Sequence, residues 1–244
     1  RLGNVFSLPA NLTFDPWFKA WASACTGLKC KGLSGGFMNS VIITVPSVIV
    51  SIAVASVNGY ALANWPYRGA NIFFTILIFG AFVPYQLMLY PIVIILREIG
   101  VFGDLIGLVI VHSIFGMPIL TLIFRNYFSS LPAELFKAAR IDGARFWGIF
   151  FKVMLPMSLP ILVVAIILQV TGIWNDFLFG IVYTRPEAYP MTVQLNNIVN
   201  STYGEKEYNV NMAATILTGL VPLTIYFVSG KLFVRGIAAG AVKG

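Results

Sequence analysis

The sequence specifies an all-α membrane protein. Only 10% of its 244 residues are charged, 58% are hydrophobic, and mean hydropathy is +0.86. Soluble domains carry roughly 25% charged residues. Five long windows hold no acid or base, and Lys and Arg collect on one side of them. A single histidine and nine acidic residues leave few parts for a metal cluster or a carboxylate-based enzyme.

The charge-free windows run 36 residues between Lys31 and Arg68, 28 between Arg68 and Arg97, and 20 between Asp104 and Arg125. Two more, between Lys152 and Asp176 and between Glu207 and Lys231, hold 23 each. About 20 apolar residues cross the hydrocarbon core. Five transmembrane helices are therefore expected, near 38–63, 71–96, 105–124, 158–183 and 211–230. The first 36 residues are expected to form an exterior segment ahead of a membrane domain over 37–244. The chain begins with Arg1. The expectation is that an inside-to-outside helix precedes it, giving six spans in the intact protein; a processed mature N-terminus is the alternative.

Orientation follows from Lys and Arg in the short loops. Segments 64–70, 125–157 and 231–244 hold nine basic residues against Glu134 and Asp142. The opposite side holds seven basic against seven acidic. The first side is expected inside, and it carries the whole net charge of +7. That charge is a topology signal and implies no nucleic-acid partner. Cys25 and Cys30 fall in the exterior segment, where a disulfide is permitted; free thiols remain equally open. The pair makes a poor metal site, with no histidine near.

The inner loop 125–157 is the longest polar interruption. Ser129 and Ser130 can cap a helix whose first turn takes Pro132 and whose N-terminal charge is Glu134. Leu135, Ala138, Ala139 and Asp142 fall at helical spacing on a flat face, and Gly143 supplies a turn of either backbone sign. Such a helix suits a groove in another protein, or the headgroup layer.

The stretch LPAELFKAARIDGARFWGIFFKVMLPMSLP, Leu131 to Pro160, resembles the EAA loop of bacterial ABC importer permeases. Trp174-Asn175-Asp176-Phe177 and the ending Val234 to Gly244 are similar to the MalG-like branch of the carbohydrate permeases. The resemblance runs from about residue 37 to the end. It implies the type I ABC importer permease fold in a bacterial or archaeal cytoplasmic membrane, C-terminus inside. The inner loop would be a coupling helix seated on a dimer of cytoplasmic ATPase subunits. A second permease subunit and an exterior sugar-binding protein would complete the assembly. Glu134, Ala138, Ala139, Asp142 and Gly143 are the expected docking residues. The family's leading glutamate is Lys137 here, so that contact does not carry over.

No G-x-x-x-x-G-K-[ST] is present, only Gly230-Lys231, so ATP would be bound by the partner and no cofactor is expected. His112 and Asp176 are the only ionisable residues near spans, and neither suggests a proton relay. Polar residues within the spans are candidates for a sugar path: Asn58, Tyr85, Gln86, Gln169, Asn175 and Asp176, with Trp174 offering a ring for stacking. Helix-to-helix fastening is the competing reading, as it is for Gly103-x-x-x-Gly107 and Gly236-x-x-x-Gly240. Thr184 to Asn211 reads as a polar exterior loop, either the contact for a binding protein or a solvated linker. The exterior and tail segments look most like glucose or mannose permeases. Other sugars or glycerol phosphate within the family, and an autonomous channel or carrier, are the alternatives.

Overall fold

A computed structural model describes residues 13–26, 30–65, 67–201 and 206–241, with 231–241 as helical backbone only. The tail charges Lys231, Arg235 and Lys243, the Gly236–Gly240 pattern and positions 202–205 of the exterior loop lie outside the described side chains or residues.

The described residues are helical. α1 (Asp15–Ala22) is short; α2 (Ser34–Asn64) is long enough to cross a bilayer and overshoot it. α3 (Ala70–Phe82) and α4 (Tyr85–Glu98) follow, then α5 (Leu105–Ser130) and α6 (Ala133–Ile141). α7 (Phe146–Ile149), a π-helical turn over Phe150–Met154, α8 (Leu155–Met157) and α9 (Leu159–Trp174) run almost continuously. α10 (Leu178–Tyr183), a 3₁₀ turn at Pro186–Ala188 and α11 (Met191–Val199) lead into α12 (Tyr208–Ala241).

α2 and α5 form the central pair. Along α2 the buried positions include Ser40, Thr44, Ser47, Ser51, Ala55, Ser56 and Gly59, small residues three or four apart. In lipid no hydrophobic force draws helices together, so close packing of small faces does that work. At Gly59 the approach is closest: a Cβ there would sit 2.6 Å from Phe124 Cβ and 2.7 Å from the Arg125 amide nitrogen. The serine hydroxyls donate to their own helix: Ser47 to Ile43 O at 2.7 Å and Ser51 to Ser47 O at 2.7 Å. The opposite face of α2, with Met38, Ile42, Val45 and Ile49, stays exposed.

Two expected spans are broken. The window 71–96 is two helices that meet at 103°. Pro84 supplies no N–H to continue α3, and Val83 closes it by donating to Gly80 O at 3.3 Å. The window 158–183 begins earlier, at Phe146, bends by 78° between Met157 and Leu159, and stops at Trp174. Pro156 and Pro160 account for the bend, since neither can donate to the preceding turn. α9 ends at Trp174, with Asn175 and Asp176 beyond it, so α10 is a separate helix rather than the last turns of the same one. Among the described residues three helices are long and apolar enough to cross a membrane unbroken, and up to five if each bent pair is one span.

The described part of the stretch after α9 is folded, which corrects the solvated-linker reading. Asn39 Nδ2 donates to Glu187 O at 3.1 Å and Tyr189 O at 3.0 Å. Gly36 N–H donates to Gln194 Oε1 at 2.9 Å and Met191 N–H to Ser40 Oγ at 2.9 Å. The polar residues that suggested flexibility hold α11 on the start of α2. α1 packs on α12 through Ala20, Val210, Ala213 and Ala214, beside a Lys19–Glu207 ion pair at 2.6 Å. Cys25 and Cys30 are joined in a disulfide.

Candidate functional site

One end of the bundle presents α6, between α5 and α7. Ser129 and Ser130 do not cap it. α5 continues through both, and Ser130 Oγ donates back to Tyr127 O at 2.7 Å. Once a helix is still running, a serine hydroxyl finds its own preceding carbonyl before a later amide. α6 starts after Pro132, with no side-chain cap and with Glu134 in its first turn. It ends through Asp142 N–H to Ala138 O, Gly143 N–H to Arg140 O and Ala144 N–H to Ala139 O, each 3.0 Å. Gly143 takes φ +78°, a left-handed value that favours glycine.

The five expected docking residues do not share one face. Ala139 is half-buried and packs with Phe136 against the bundle. Glu134, Ala138, Asp142 and Gly143 are exposed. The outward face is completed by Leu135, 40% exposed, and by Ile141, 86% exposed. Ile141 went unnoticed in the sequence. Its signal was there: an isoleucine three residues after Ala138 on a helix whose buried side was already filled by Phe136 and Ala139. Behind α6, Arg140 lies over the Trp65 ring at 5.2 Å and Phe136 meets Trp65 edge-on at 5.6 Å.

The candidate path residues separate into two groups. Three are fasteners. Gln169 Nε2 donates to His112 O at 3.3 Å and fills the space beside Gly116. Trp174 is 2% exposed, donates from Nε1 to Thr218 O at 3.0 Å and packs edge-on against Phe37. A ring so enclosed within the chain has no free face for stacking. Asp176 accepts the Phe179 N–H at 3.2 Å and the Gly180 N–H at 3.0 Å, tying off the start of α10. Its Oδ2 lies 3.6 Å from His112 Nε2, and its carbonyl accepts from Thr192 Oγ1 at 2.6 Å.

The other four are accessible. Tyr85 and Gln86 are exposed at the start of α4, directly after the Val83–Pro84 break. Tyr85 meets Phe179 edge-on at 5.6 Å, and Phe179 in turn touches the rings of His112 and Phe115. Asn175 is exposed, while Asn58 is half-buried towards the inner end of α2. Phe179 thus lies between Tyr85, which meets its ring, and Asp176, which accepts its N–H. An apolar groove of about 480 Å³ runs from Tyr85 along Met88, Ile92, Ile114 and Pro118.

A long helix pair, a surface helix at one end and a tethered helical hairpin at the other are also features of known proteins. The family of binding-protein-dependent transport system inner membrane components matches residues 47–239. The chain belongs to that family. A probable ABC transporter permease of Pyrococcus horikoshii is 45% identical over 167 residues, 68% of this chain and 60% of that protein. An osmoprotective compounds uptake permease of Synechocystis is 34% identical, covering 88% of this chain and 72% of that protein. An alpha-glucoside transport system permease of Rhizobium meliloti is 34% identical, covering all of this chain and 64% of that protein. The chain therefore spans about three-fifths to three-quarters of these relatives' lengths. Among solved structures, a bacterial ABC transporter that imports the acidic polysaccharide alginate superposes with a TM-score of 0.77 at 23% identity. That match covers 94% of this chain and 82% of the other, and it extends the family's fold to this chain.

Proposed function

We propose that this family member is the permease subunit of an ATP-driven sugar importer, non-catalytic in itself. It would form half of a translocation path with a second permease subunit. The observation that carries the reading is α6: a short surface helix between two membrane helices, apolar at Leu135, Ala138 and Ile141 on its outward side, ended sharply at Gly143. An exposed apolar patch of that kind marks a protein contact. A dimer of cytoplasmic ATPase subunits is the proposed partner there. The tethered hairpin of α10 and α11 is the proposed contact for an exterior binding protein, and the Lys and Arg bias supports an inner C-terminus.

Glucose or mannose is the proposed substrate on the sequence resemblance. The names of the relatives, which include alpha-glucoside and xylose/arabinose permeases, support a second reading in which a disaccharide or pentose is carried. A panel of radiolabelled glucose, mannose, maltose, xylose and glycerol phosphate, offered to the reconstituted transporter with its binding protein, separates these. ATP-dependent uptake of glucose or mannose alone supports the first. Uptake of any of them by this chain alone in liposomes would overturn the importer reading.

A further inference from the structure

Phe136, Ala139 and Arg140 pack α6 against the rest of the chain, and Phe136 reaches both Tyr60 and Trp65. Tyr60, on the last turns of α2, is fully buried. Its ring lies 6.5 Å from Phe136 of α6, 6.4 Å from Trp65, 6.2 Å from Phe128 of α5, 4.8 Å from Phe146 of α7 and 5.5 Å from Phe150. Its hydroxyl donates to Phe146 O at 3.2 Å. No other ring in the described residues meets α2, α5, α6, α7 and the π-helical turn together.

The connections of α6 along the backbone are sharp turns, at Pro132 on one side and at Gly143 on the other. Turns transmit displacement poorly; packed aromatic rings in a dense interior transmit it well. Phe136 leans on Tyr60 and Trp65, both at the inner end of α2. From there α2 continues as one helix, with Pro46 inside it, to the other end of the bundle. Gly59 locks it to α5 at the inner end, the serine row continues the contact, and Ser40, Gly36 and Asn39 hold the exterior hairpin at the far end. A push on α6 thus has one well-packed route to the opposite face.

We infer that Tyr60 is a positioning residue for coupling: it fixes α6 to α2, so that movement of the docked ATPase reaches the exterior hairpin through the α2–α5 pair. This rests on the reading of α6 as the docking helix. The test uses the complete transporter in nanodiscs, with MgATP and vanadate as the probe. Spin labels at Lys31→Cys and Glu98→Cys report movement of α2 relative to α4 on the exterior, and Ala138→Cys cross-linking reports docking. Tyr60→Leu is expected to keep cross-linking and ATP hydrolysis within about twofold while losing most of the nucleotide-driven change in label separation. Tyr60→Phe, which keeps every ring contact, is expected to restore it. An undiminished change in Tyr60→Leu, with cross-linking intact, overturns the inference and spares the docking reading. Failure of Ala138→Cys to cross-link in otherwise unaltered protein overturns the docking reading, and the inference with it. Should Tyr60→Leu not assemble, Phe136→Leu cuts the same route from the α6 side, and an unchanged separation there counts equally against the inference.

Discussion

Gly143 is where backbone and chemistry can be pulled apart. Its φ of +78° is one that asparagine tolerates and a β-branched residue does not. A Cβ there meets nothing within 4 Å, so crowding plays no part. Gly143→Val is expected to lose about 1–2 kcal/mol of local stability from strain alone. Gly143→Asn is expected to retain most coupling. Gly143→Asp is expected to insert normally yet lose transport-linked ATP hydrolysis, because it adds a second carboxylate beside Asp142 at the negative end of the α6 dipole. Equal ATPase activity in the Asn and Asp variants would show that charge is irrelevant at this point. Ile141 offers a cleaner cut, since its side chain is 86% exposed and contributes little to the fold. Ile141→Asp is expected to reduce the ATPase recovered with the purified permease at least tenfold, equivalent to about 1.4 kcal/mol of binding. The check is the subunit ratio of the purified complex, and an unchanged ratio would remove Ile141 from the contact.

At the scale of elements, the exterior hairpin depends on α2 more than on itself. Asn39→Ala removes two hydrogen bonds to the carbonyls of Glu187 and Tyr189, a loss of about 1–3 kcal/mol. Hydrogen exchange over Met191–Val199 is expected to quicken by roughly ten- to a hundredfold, with the α2–α5 pair unaffected. Unchanged exchange would mean Gln194 and Ser40 hold the hairpin without Asn39. This tether also shows why the element was hard to read in advance. Asn39 is 148 residues from Glu187 and Gly36 is 158 from Gln194, and polar composition looks the same whether its partners are carbonyls or water. The breaks at Pro84 and at Pro156–Pro160 were not legible from proline alone, because Pro46, Pro91, Pro118 and Pro222 lie inside unbroken helices; tertiary packing decides which proline ends or bends its helix. By contrast α2 and α5 were legible as spans, since a long charge-free window admits little besides a spanning helix, though α2 starts four residues before the expected 38 and α5 runs six past the expected 124. Within α6 the helix and its terminal glycine were legible. Which of Ala138 and Ala139 faced outward was not, because two alanines carry no amphipathic signal, and Phe136 decides the matter by burying itself against Trp65.

For the whole molecule, the decisive property is the uneven spread of its cations. Nine basic residues against two acids on one side should fix that side in the cytoplasm. Both native cysteines are bonded to each other, so introduced thiols stand without background. A membrane-impermeant maleimide is expected to label Asp104→Cys in intact cells and Lys137→Cys only after lysis. The reverse pattern would invert the proposed topology and separate α6 from any cytoplasmic ATPase.

The Cys25–Cys30 ring closes directly between α1 and the entry to α2. Gly32 N–H donates to Ala24 O and Leu33 N–H to Ala20 O within the same turn. With the exterior placement proposed above, this bond can form only after the segment has left the reducing cytosol. It therefore dates the chain's maturation. Newly synthesised protein trapped with an alkylating agent would carry two free thiols before export of this segment and none afterwards. The disappearance of those thiols gives a clock for biogenesis, read from a part of the molecule remote from transport itself.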